Sequence, residues 1–185
     1  MFLRGVCSSA EINGTEPFDL IEYCENHTIN SEEELQEVLD LYIGGSGNTD
    51  SDEYSDPSEV ISFDLTIDYD NQYVITTTVY ETTNTRSSTS GYAEKKYRNN
   101  LGIMIFKVRV DGTYSYNGST CSTTSASGSF TPTPLLGWTS SPVLSTGKSG
   151  SKAYARTHGT AYNGTVSQSY SIYLYCDVNG NLSST

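Results

Sequence analysis

A regular alternation of apolar and polar side chains, which recurs along the chain from residue 60 onward, is the feature that most limits how this chain can fold. In residues 61–69, isoleucine, phenylalanine, leucine or tyrosine at each odd position alternates with serine, threonine or aspartate. This period of two predicts a β-strand with one face in water. Further strands are expected at 73–80, 103–110, 113–116, 122–130, 152–162 and 169–177. Turns are expected at Asp70-Asn71, Asp111-Gly112, Asn117-Gly118 and Asn179-Gly180, and a polar loop at 84–91.

Short strands joined by tight turns, with no helical pattern between them, predict an all-β fold over residues 60–185. We expect an antiparallel β-sandwich, with an up-and-down barrel as the alternative. In the last predicted strand, Tyr173 and Tyr175 lie on the face opposite to an apolar set that we expect to point into the core. That set is Tyr170, Ile172, Leu174 and Cys176.

A short amphipathic helix is predicted at about 31–42, ahead of the strands. Ser31-Glu32-Glu33-Glu34 is a capping box, in which the serine hydroxyl and the Glu34 carboxylate each accept a hydrogen bond from an otherwise unpaired backbone N–H. Apolar residues follow at helical spacing, and Gly44-Gly45 ends the helix. A helix of about eleven residues is unstable alone in water, so we expect its apolar stripe to pack against the sheet.

The chain is therefore expected to divide into four segments. Residues 1–10 have the character of a truncated leader or signal-peptide remnant, because Ser8-Ser9-Ala10 has the small-x-small pattern of a cleavage site. Residues 11–43 form an acidic segment that contains the helix. Residues 44–59 form an acidic linker rich in glycine and serine, and residues 60–185 form the β-sandwich domain.

Charge is distributed unevenly along the chain. Residues 1–90 contain 19 of the 22 acidic residues and two basic ones, a net charge of −17, whereas residues 91–185 contain three acidic and eight basic residues, a net charge of +5. Either the acidic part lies against a basic sheet, or the two parts have differently solvated surfaces. The overall charge of -12 argues against nucleic acid or an anionic membrane as a partner. The apolar runs are too short for a membrane-spanning helix.

The four cysteines, Cys7, Cys24, Cys121 and Cys176, are widely spaced and contain no Cys-x-x-Cys pair. Since the chain has only two histidines, a zinc site is not indicated. Single cysteines in a β protein rich in serine, threonine and tyrosine favour disulfides in an oxidising compartment, with buried free thiols as the alternative. We expect a bridge between Cys121 and Cys176, which would stabilise the fold by about 4 kcal/mol by closing a loop of roughly 55 residues.

No arrangement of residues predicts catalysis or a cofactor. The part of the chain after residue 90 holds only three carboxylates that could form a glycosidase-type pair, and this is a poor basis for a hydrolase. They are Glu94, Asp111 and Asp177.

A calcium-binding loop is the one metal site that the spacing suggests. Asn48, Asp50, Asp52 and Glu59 fall at positions one, three, five and twelve of such a loop. However, Glu53 occupies the position where the loop requires glycine, and a strand follows in place of a helix. A solvated linker is therefore the favoured interpretation.

Tyrosine is frequent, with 15 tyrosines against five phenylalanines. Its ring combines a flat apolar face with a hydroxyl group, which suits stacking on sugars or contact with proteins. Tyr173 and Tyr175, about 6–7 Å apart on one strand face, are candidates to join Trp138 in a platform for a ligand such as a glycan. The alternative is that the tyrosines form cross-strand ladders that stiffen a sheet poor in leucine and phenylalanine.

Three segments of the second half have a sequence pattern typical of strands and turns: Thr113–Cys121 with its continuation Ser125–Ser127, Lys148–Ala153, and Tyr175–Ser183. With these segments, roughly residues 93–183 resemble a family of uncharacterised, secreted β-rich proteins of Gram-positive bacteria. The resemblance implies export, a β-sandwich-like domain and the bridge between Cys121 and Cys176. It implies no activity.

The sequence therefore favours a secreted or cell-surface β-sandwich protein without enzymatic activity, which acts in adhesion or interaction with a partner protein or a cell-surface glycan. One alternative is a carbohydrate-binding module that uses exposed tyrosine and tryptophan. Another is a small secreted toxin or inhibitor. The expected location is extracellular or at the cell surface, with no nucleic acid partner, no cofactor and no membrane span.

Overall fold

The computed structural model describes residues 18–43 and 58–185, and these form two helices and nine strands. The helices are α1 (Leu20–Asn26) and α2 (Glu32–Ile43). The strands are β1 (Glu59–Asp68), β2 (Tyr73–Asn84), β3 (Ser88–Asn99), β4 (Met104–Tyr116), β5 (Cys121–Pro132), β6 (Val143–Ser149), β7 (Lys152–Asn163), β8 (Val166–Cys176) and β9 (Leu182–Ser184). Strands β1 to β5 form a first antiparallel sheet and β6 to β9 a second, each in sequence order. The expected all-β, sandwich-like fold with a small helical part is confirmed, and the sheet does not close on itself as a barrel would require.

The main core lies between the two sheets and is filled from the inward face of each. Strand β4 contributes Phe106, Val108 and Val110, and β8 contributes Ile172 and Leu174, all of them fully buried. Burial of apolar surface is worth about 25 cal/mol per Å². These alternating residues therefore fix which face of each strand points inward.

A buried tyrosine joins the two sheets at the centre of this core. The Tyr114 hydroxyl donates a hydrogen bond to the Leu174 carbonyl at 2.6 Å and accepts one from the Ala155 N–H at 3.1 Å. Burial raises the pKa of Tyr114 far above its ordinary value, so the phenol stays neutral and can donate. The second sheet is thereby held in a fixed position over the first.

Both helices pack against the outward face of the first sheet. Their contact is a second, smaller core, whose members are Leu20, Ile21, Leu35, Leu39 and Val74 of β2. The observed α2 lies one residue beyond the predicted helix at 31–42. Its apolar stripe packs against the sheet, as expected for a helix too short to be stable alone.

The capping residues of α2 behave almost as predicted. The Ser31 hydroxyl accepts a hydrogen bond from the Glu34 N–H at 3.1 Å. The Glu34 carboxylate accepts from the Asn30 N–H at 2.8 Å, one residue earlier than the capping box requires. Two backbone donors at the start of the helix are therefore satisfied by side chains.

Two strands lie in segments where the alternation is absent. The polar loop expected at 84–91 is shorter, because β2 continues to Asn84 and β3 already begins at Ser88. Strand β6 also lies in a segment for which no strand was predicted. Both strands are rich in polar residues, so neither carries the apolar alternation that indicates a half-buried strand.

The turn expected at Asp111-Gly112 is wrong, because both residues lie inside β4 and pair with β3. The reason is the packing of a neighbouring ring. A Cβ atom at Gly112 would lie 2.5 Å from the hydroxyl oxygen of Tyr114. Glycine here makes room for the tyrosine within a strand, which is a known use of glycine in sheets.

Neither of the helices in the described segments has the length and apolar character that crossing a membrane demands.

Candidate interaction surface

The outward face of the second sheet carries a cluster of aromatic and basic side chains that we call the tyrosine face. Its members are Lys152, Tyr154 and Arg156 of β7 and Tyr173 and Tyr175 of β8. Side chains alternate across a strand, so these residues point outward while the residues between them point into the core. The antiparallel register places Tyr154 opposite Tyr175 and Arg156 opposite Tyr173.

The three tyrosines of this face contact one another. The rings of Tyr173 and Tyr175 are stacked, with centroids 5.3 Å apart and an angle of 6° between their planes. Tyr154 meets both rings edge-on, at centroid distances of 5.6 and 6.0 Å. Such pairs stabilise a protein by about 0.5–1.5 kcal/mol beyond the burial of their area. The cluster is therefore a rigid surface.

Two cations lie over the outer rings of the cluster. The Arg156 guanidinium is 5.0 Å from the centroid of the Tyr173 ring, and the Lys152 ammonium is 6.0 Å from that of Tyr175. Both distances are within the range of a cation–π contact. Because the stacked rings also face each other, the surface offers ring edges and positive charge more than open ring faces.

A glycine in the neighbouring strand makes room for the cluster. Gly147 of β6 pairs with Tyr154, and a Cβ atom on Gly147 would lie 2.7 Å from the Tyr154 hydroxyl oxygen. The Tyr154 ring therefore extends over the backbone of β6. No sequence pattern indicates this contact, because only the register between β6 and β7 reveals it.

The tyrosine face is basic at neutral pH. A carboxylate, that of Asp177, lies near Lys152 at one end of the face. Burial alone would raise the pKa of Asp177, but hydrogen bonds from Asn181 and Asn179 and the Lys152 charge lower it below its ordinary value. The two helices pack on the first sheet, so neither of them covers the tyrosine face.

Trp138 does not belong to this face, so its predicted place in the platform is wrong. Its side chain is 7% exposed and lies in the core between the sheets. Its ring centroid is 5.5 Å from that of Phe106. A tryptophan in a polar loop buries a large apolar area when it turns inward, and this packing outweighs exposure to solvent.

The outward face of the first sheet carries a second charged cluster, built in a different way. The Glu94 carboxylate lies 3.7 Å from both the Lys107 ammonium and the Arg109 guanidinium. Arg109 also donates to Asp111 at 2.6 Å and lies 3.6 Å above the centroid of the Tyr92 ring. Glu94 and Asp111, two of the three carboxylates considered for catalysis, are thus held in ion pairs. This arrangement serves structure better than acid–base chemistry.

Cys121 and Cys176 lie close together in the core, where β5 begins and β8 ends. Both are buried free thiols in the structure, so the disulfide stays a prediction. Burial raises the pKa of the Cys176 thiol far above its ordinary value, and a hydrogen bond with Cys121 raises it further. Burial raises the pKa of the half-buried Cys24 to about 11. Cys7 lies outside the described residues.

Of the four calcium-loop candidates, Asn48, Asp50 and Asp52 lie outside the described residues. Glu59 is exposed at the start of β1, where it pairs with Glu81 of β2. Within residues 18–43 and 58–185, no group of three histidine, cysteine, aspartate or glutamate side chains is arranged to hold a metal ion.

No protein-family model, curated protein or solved structure matches this chain.

Proposed function

We propose that the protein is a secreted or cell-surface interaction module without enzymatic activity, and that the tyrosine face is its contact surface for a partner protein. The observation that supports this proposal is the cluster of Tyr154, Tyr173 and Tyr175 with two cations on a sheet face that neither helix covers. Tyrosine and arginine are enriched among the residues that contribute most to binding at protein interfaces.

The geometry of the rings favours a protein over a neutral sugar. A sugar stacks on an open aromatic face, whereas the faces of Tyr173 and Tyr175 are directed at each other, with Arg156 and Lys152 over them. An acidic cell-surface glycan is the second candidate. The positive charge of Arg156 and Lys152 favours a glycan that carries carboxylate or sulfate groups.

The location outside the cell is proposed from the sequence. The signal-like residues 1–10, the widely spaced cysteines and the resemblance to secreted β-rich proteins support it. Fractionation of cells that encode the protein, followed by detection with an antibody, tests this point. The protein should be found in the medium or on the cell surface, and its confinement to the cytosol would overturn the proposal.

Binding to intact cells of the encoding organism tests the contact surface. We expect labelled protein to bind these cells, and Tyr173→Ala or Arg156→Ala to reduce binding at least about tenfold, as loss of a central interface residue does. Tyr69→Ala is the matched control, because Tyr69 is 57% exposed and lies in the turn between β1 and β2, away from the second sheet. Protease treatment of the cells should abolish binding if the partner is a protein.

Two results would contradict the proposal. Equal binding of wild type and both variants would show that the tyrosine face is not the contact surface. Binding that survives protease treatment but is lost after removal of acidic glycans, together with a signal on an array of sulfated oligosaccharides, would replace the protein partner with the acidic glycan.

A further inference from the structure

The second sheet is incomplete along one edge. Strand β8 pairs with β7 from Val166 to Cys176, but on its other side it pairs with β9 only from Leu174 to Cys176. Because β9 has three residues while β7 and β8 have 12 and 11, residues 166–173 of β8 have no strand partner on this second side within 18–43 and 58–185. We call this stretch the open edge of β8.

Side chains occupy backbone carbonyls along this edge. The carbonyls of Ser169, Ser171 and Tyr173 accept hydrogen bonds from Gln168 Nε2 at 3.1 Å, Lys95 Nζ at 3.1 Å and Ser184 Oγ at 2.6 Å, respectively. Every second residue of a strand points its N–H and C=O to the same side. The N–H groups of these three residues therefore point to the side on which β9 lies, and β9 pairs with β8 only from Leu174 onward.

A groove of about 560 Å³ follows the open edge and reaches the inward face of the first sheet. Ile75 and Tyr97 of the first sheet line it, together with Gln168–Ser171 of β8. Lys95, Arg156 and His158 also line it, and no carboxylate is among the described residues that line it.

The positive charge is concentrated at Ser171. Lys95 reaches the Ser171 carbonyl from the first sheet, while Arg156 Nε donates to the Ser171 hydroxyl at 3.0 Å. Burial lowers the pKa of Lys95, and the charge of Asp64 on β1 only partly offsets this. An ammonium that is short of water and of charged partners favours the approach of an anion.

We propose that the open edge of β8 binds an extended acidic segment of a partner protein, which adds to the sheet antiparallel to β8 and in line with β9, with a carboxylate paired to Lys95. This inference rests on the proposed function in that the partner is a protein. Addition of a strand to a sheet edge supplies main-chain hydrogen bonds, and side-chain pockets add specificity. The unpaired amides supply the hydrogen bonds here, and Lys95 supplies the specificity.

The register of β9 fixes how the added strand would lie. Cys176 pairs with Leu182 and Leu174 with Ser184, so residues added after Thr185 would pair in turn with Ile172, Ser171 and Tyr170. Residues that pair across a sheet point to the same face. Side chains opposite Ile172 and Tyr170 would therefore point into the groove, toward Lys95.

The experiment extends the chain after Thr185 by about six residues of alternating threonine and valine, which form strands readily. One version carries glutamate at the two positions opposite Ile172 and Tyr170, a second carries lysine there, and a third is a glycine–serine extension of equal length. Attachment to the chain raises the effective concentration of the strand to the millimolar range. Weak pairing therefore becomes measurable.

We expect the glutamate version to slow hydrogen exchange at the Ser169 and Ser171 amides at least about tenfold, because paired amides must open before they exchange. Its melting temperature should rise by several degrees over that of the glycine–serine version. The lysine version should show neither effect. Lys95→Gln, which keeps a donor for the Ser171 carbonyl but removes the charge, should cancel the advantage of glutamate.

A free peptide with the glutamate sequence provides the intermolecular measurement. It should bind the unextended protein at least about tenfold more tightly than the lysine peptide, and should lose this preference with Lys95→Gln. Equal behaviour of the glutamate and lysine versions would overturn the proposal. The proposal would also be overturned if, in the unextended protein, protection of the two amides from hydrogen exchange increased with protein concentration, because a second copy would then occupy the edge. Tyr173→Ala separates the two proposals, because it should reduce cell binding while strand addition persists. Cell binding by the wild type without any strand addition would overturn this inference and leave the tyrosine face as the contact surface.

Discussion

The outward faces of the two sheets differ in how their charges are used. On the first sheet, the basic side chains of β3 and β4 are paired with carboxylates, and two helices cover part of the face. On the second sheet, Lys152 and Arg156 lie over tyrosine rings, and neither helix packs there. Both faces combine tyrosine with cations, but among the described residues ion pairs with carboxylates are found only on the first.

Part of the charge on the first sheet is balanced by the acidic N-terminal part of the chain. Glu32 of the acidic N-terminal part forms ion pairs with Lys96 and Arg98 of β3. The interpretation in which the acidic part lies against a basic sheet is therefore correct for this pair. Among the described residues, no carboxylate forms an ion pair with Lys152 or Arg156, which is why we place the external contact there.

The largest expected effect concerns the link between the two sheets. If Cys121 and Cys176 are oxidised in the secreted protein, reduction should lower the free energy of unfolding by about 4 kcal/mol, because the open loop restores entropy to the unfolded chain. Urea titrations with and without reductant measure this change. The double variant Cys121→Ser/Cys176→Ser should be insensitive to reductant. Peptide mapping that finds both cysteines as thiols in secreted protein would contradict the prediction.

The covered face of the first sheet should depend on helix packing. Leu35→Ala removes a fully buried side chain from the contact between α2 and β2, and should lower the free energy of unfolding by about 3 kcal/mol. Leu41→Ala in the same helix is the control, because Leu41 is 72% exposed. If chemical denaturation gives the same stability for both variants, α2 does not pack on the sheet as described.

The ion pair between α2 and β3 should make stability depend on pH. Burial alone would raise the pKa of Glu32, but Arg98 and Lys96 outweigh it and hold the pKa below its ordinary value. A lowered pKa in the folded state stabilises the protein above the unfolded value of about 4.3, and this stability is lost as the pH falls through the folded value.

Glu32→Gln should therefore lower stability by about 2 kcal/mol at pH 7 and flatten its decline below about pH 5, because Arg98 stays buried without its partner. Denaturation curves collected from pH 3 to pH 7 measure both effects. Glu33→Gln is the control, since Glu33 is exposed on the same turn of the helix. If the stability of Glu32→Gln declines below pH 5 as steeply as that of the wild type, another carboxylate controls this decline.

The smallest effect on stability should come from the uncovered face. Tyr173→Ala removes one stacked ring from the second sheet and should lower the free energy of unfolding by only about 1 kcal/mol. The same variant is expected to lose most of its binding to cells. A loss of stability as large as that of Leu35→Ala would instead make the tyrosine cluster a structural ladder and remove the contrast between the two faces.

The strands that the sequence predicted are those in which apolar and polar residues alternate. Residues 61–69 and 169–177 alternate in this way, and β1 and β8 lie there. Strand β3 was missed because its outward residues, among them Glu94, Lys96 and Arg98, are charged yet little exposed. They are buried through ion pairs with β4 and α2, and such pairing over long sequence distances leaves no period in the chain itself.

The tyrosine face was predictable only in part. Tyr173 and Tyr175 share a face because they are two residues apart on one strand. Tyr154 and Arg156 join them through the register between β7 and β8, and one residue of slip would have turned both toward the core. Trp138 was misplaced for the same reason, because its contact with Phe106 spans more than 30 residues of sequence.

The order of the strands has a consequence for how the protein is made. Each strand within a sheet pairs with its neighbour in the chain, so the first sheet needs no residue beyond Pro132 for its ladders. On the ribosome, where the N-terminal part emerges first, this half can assemble before β6 to β9 have been translated. Its inward face, with Phe106 and Val108, then stays exposed to chaperones and to aggregation until the later strands arrive.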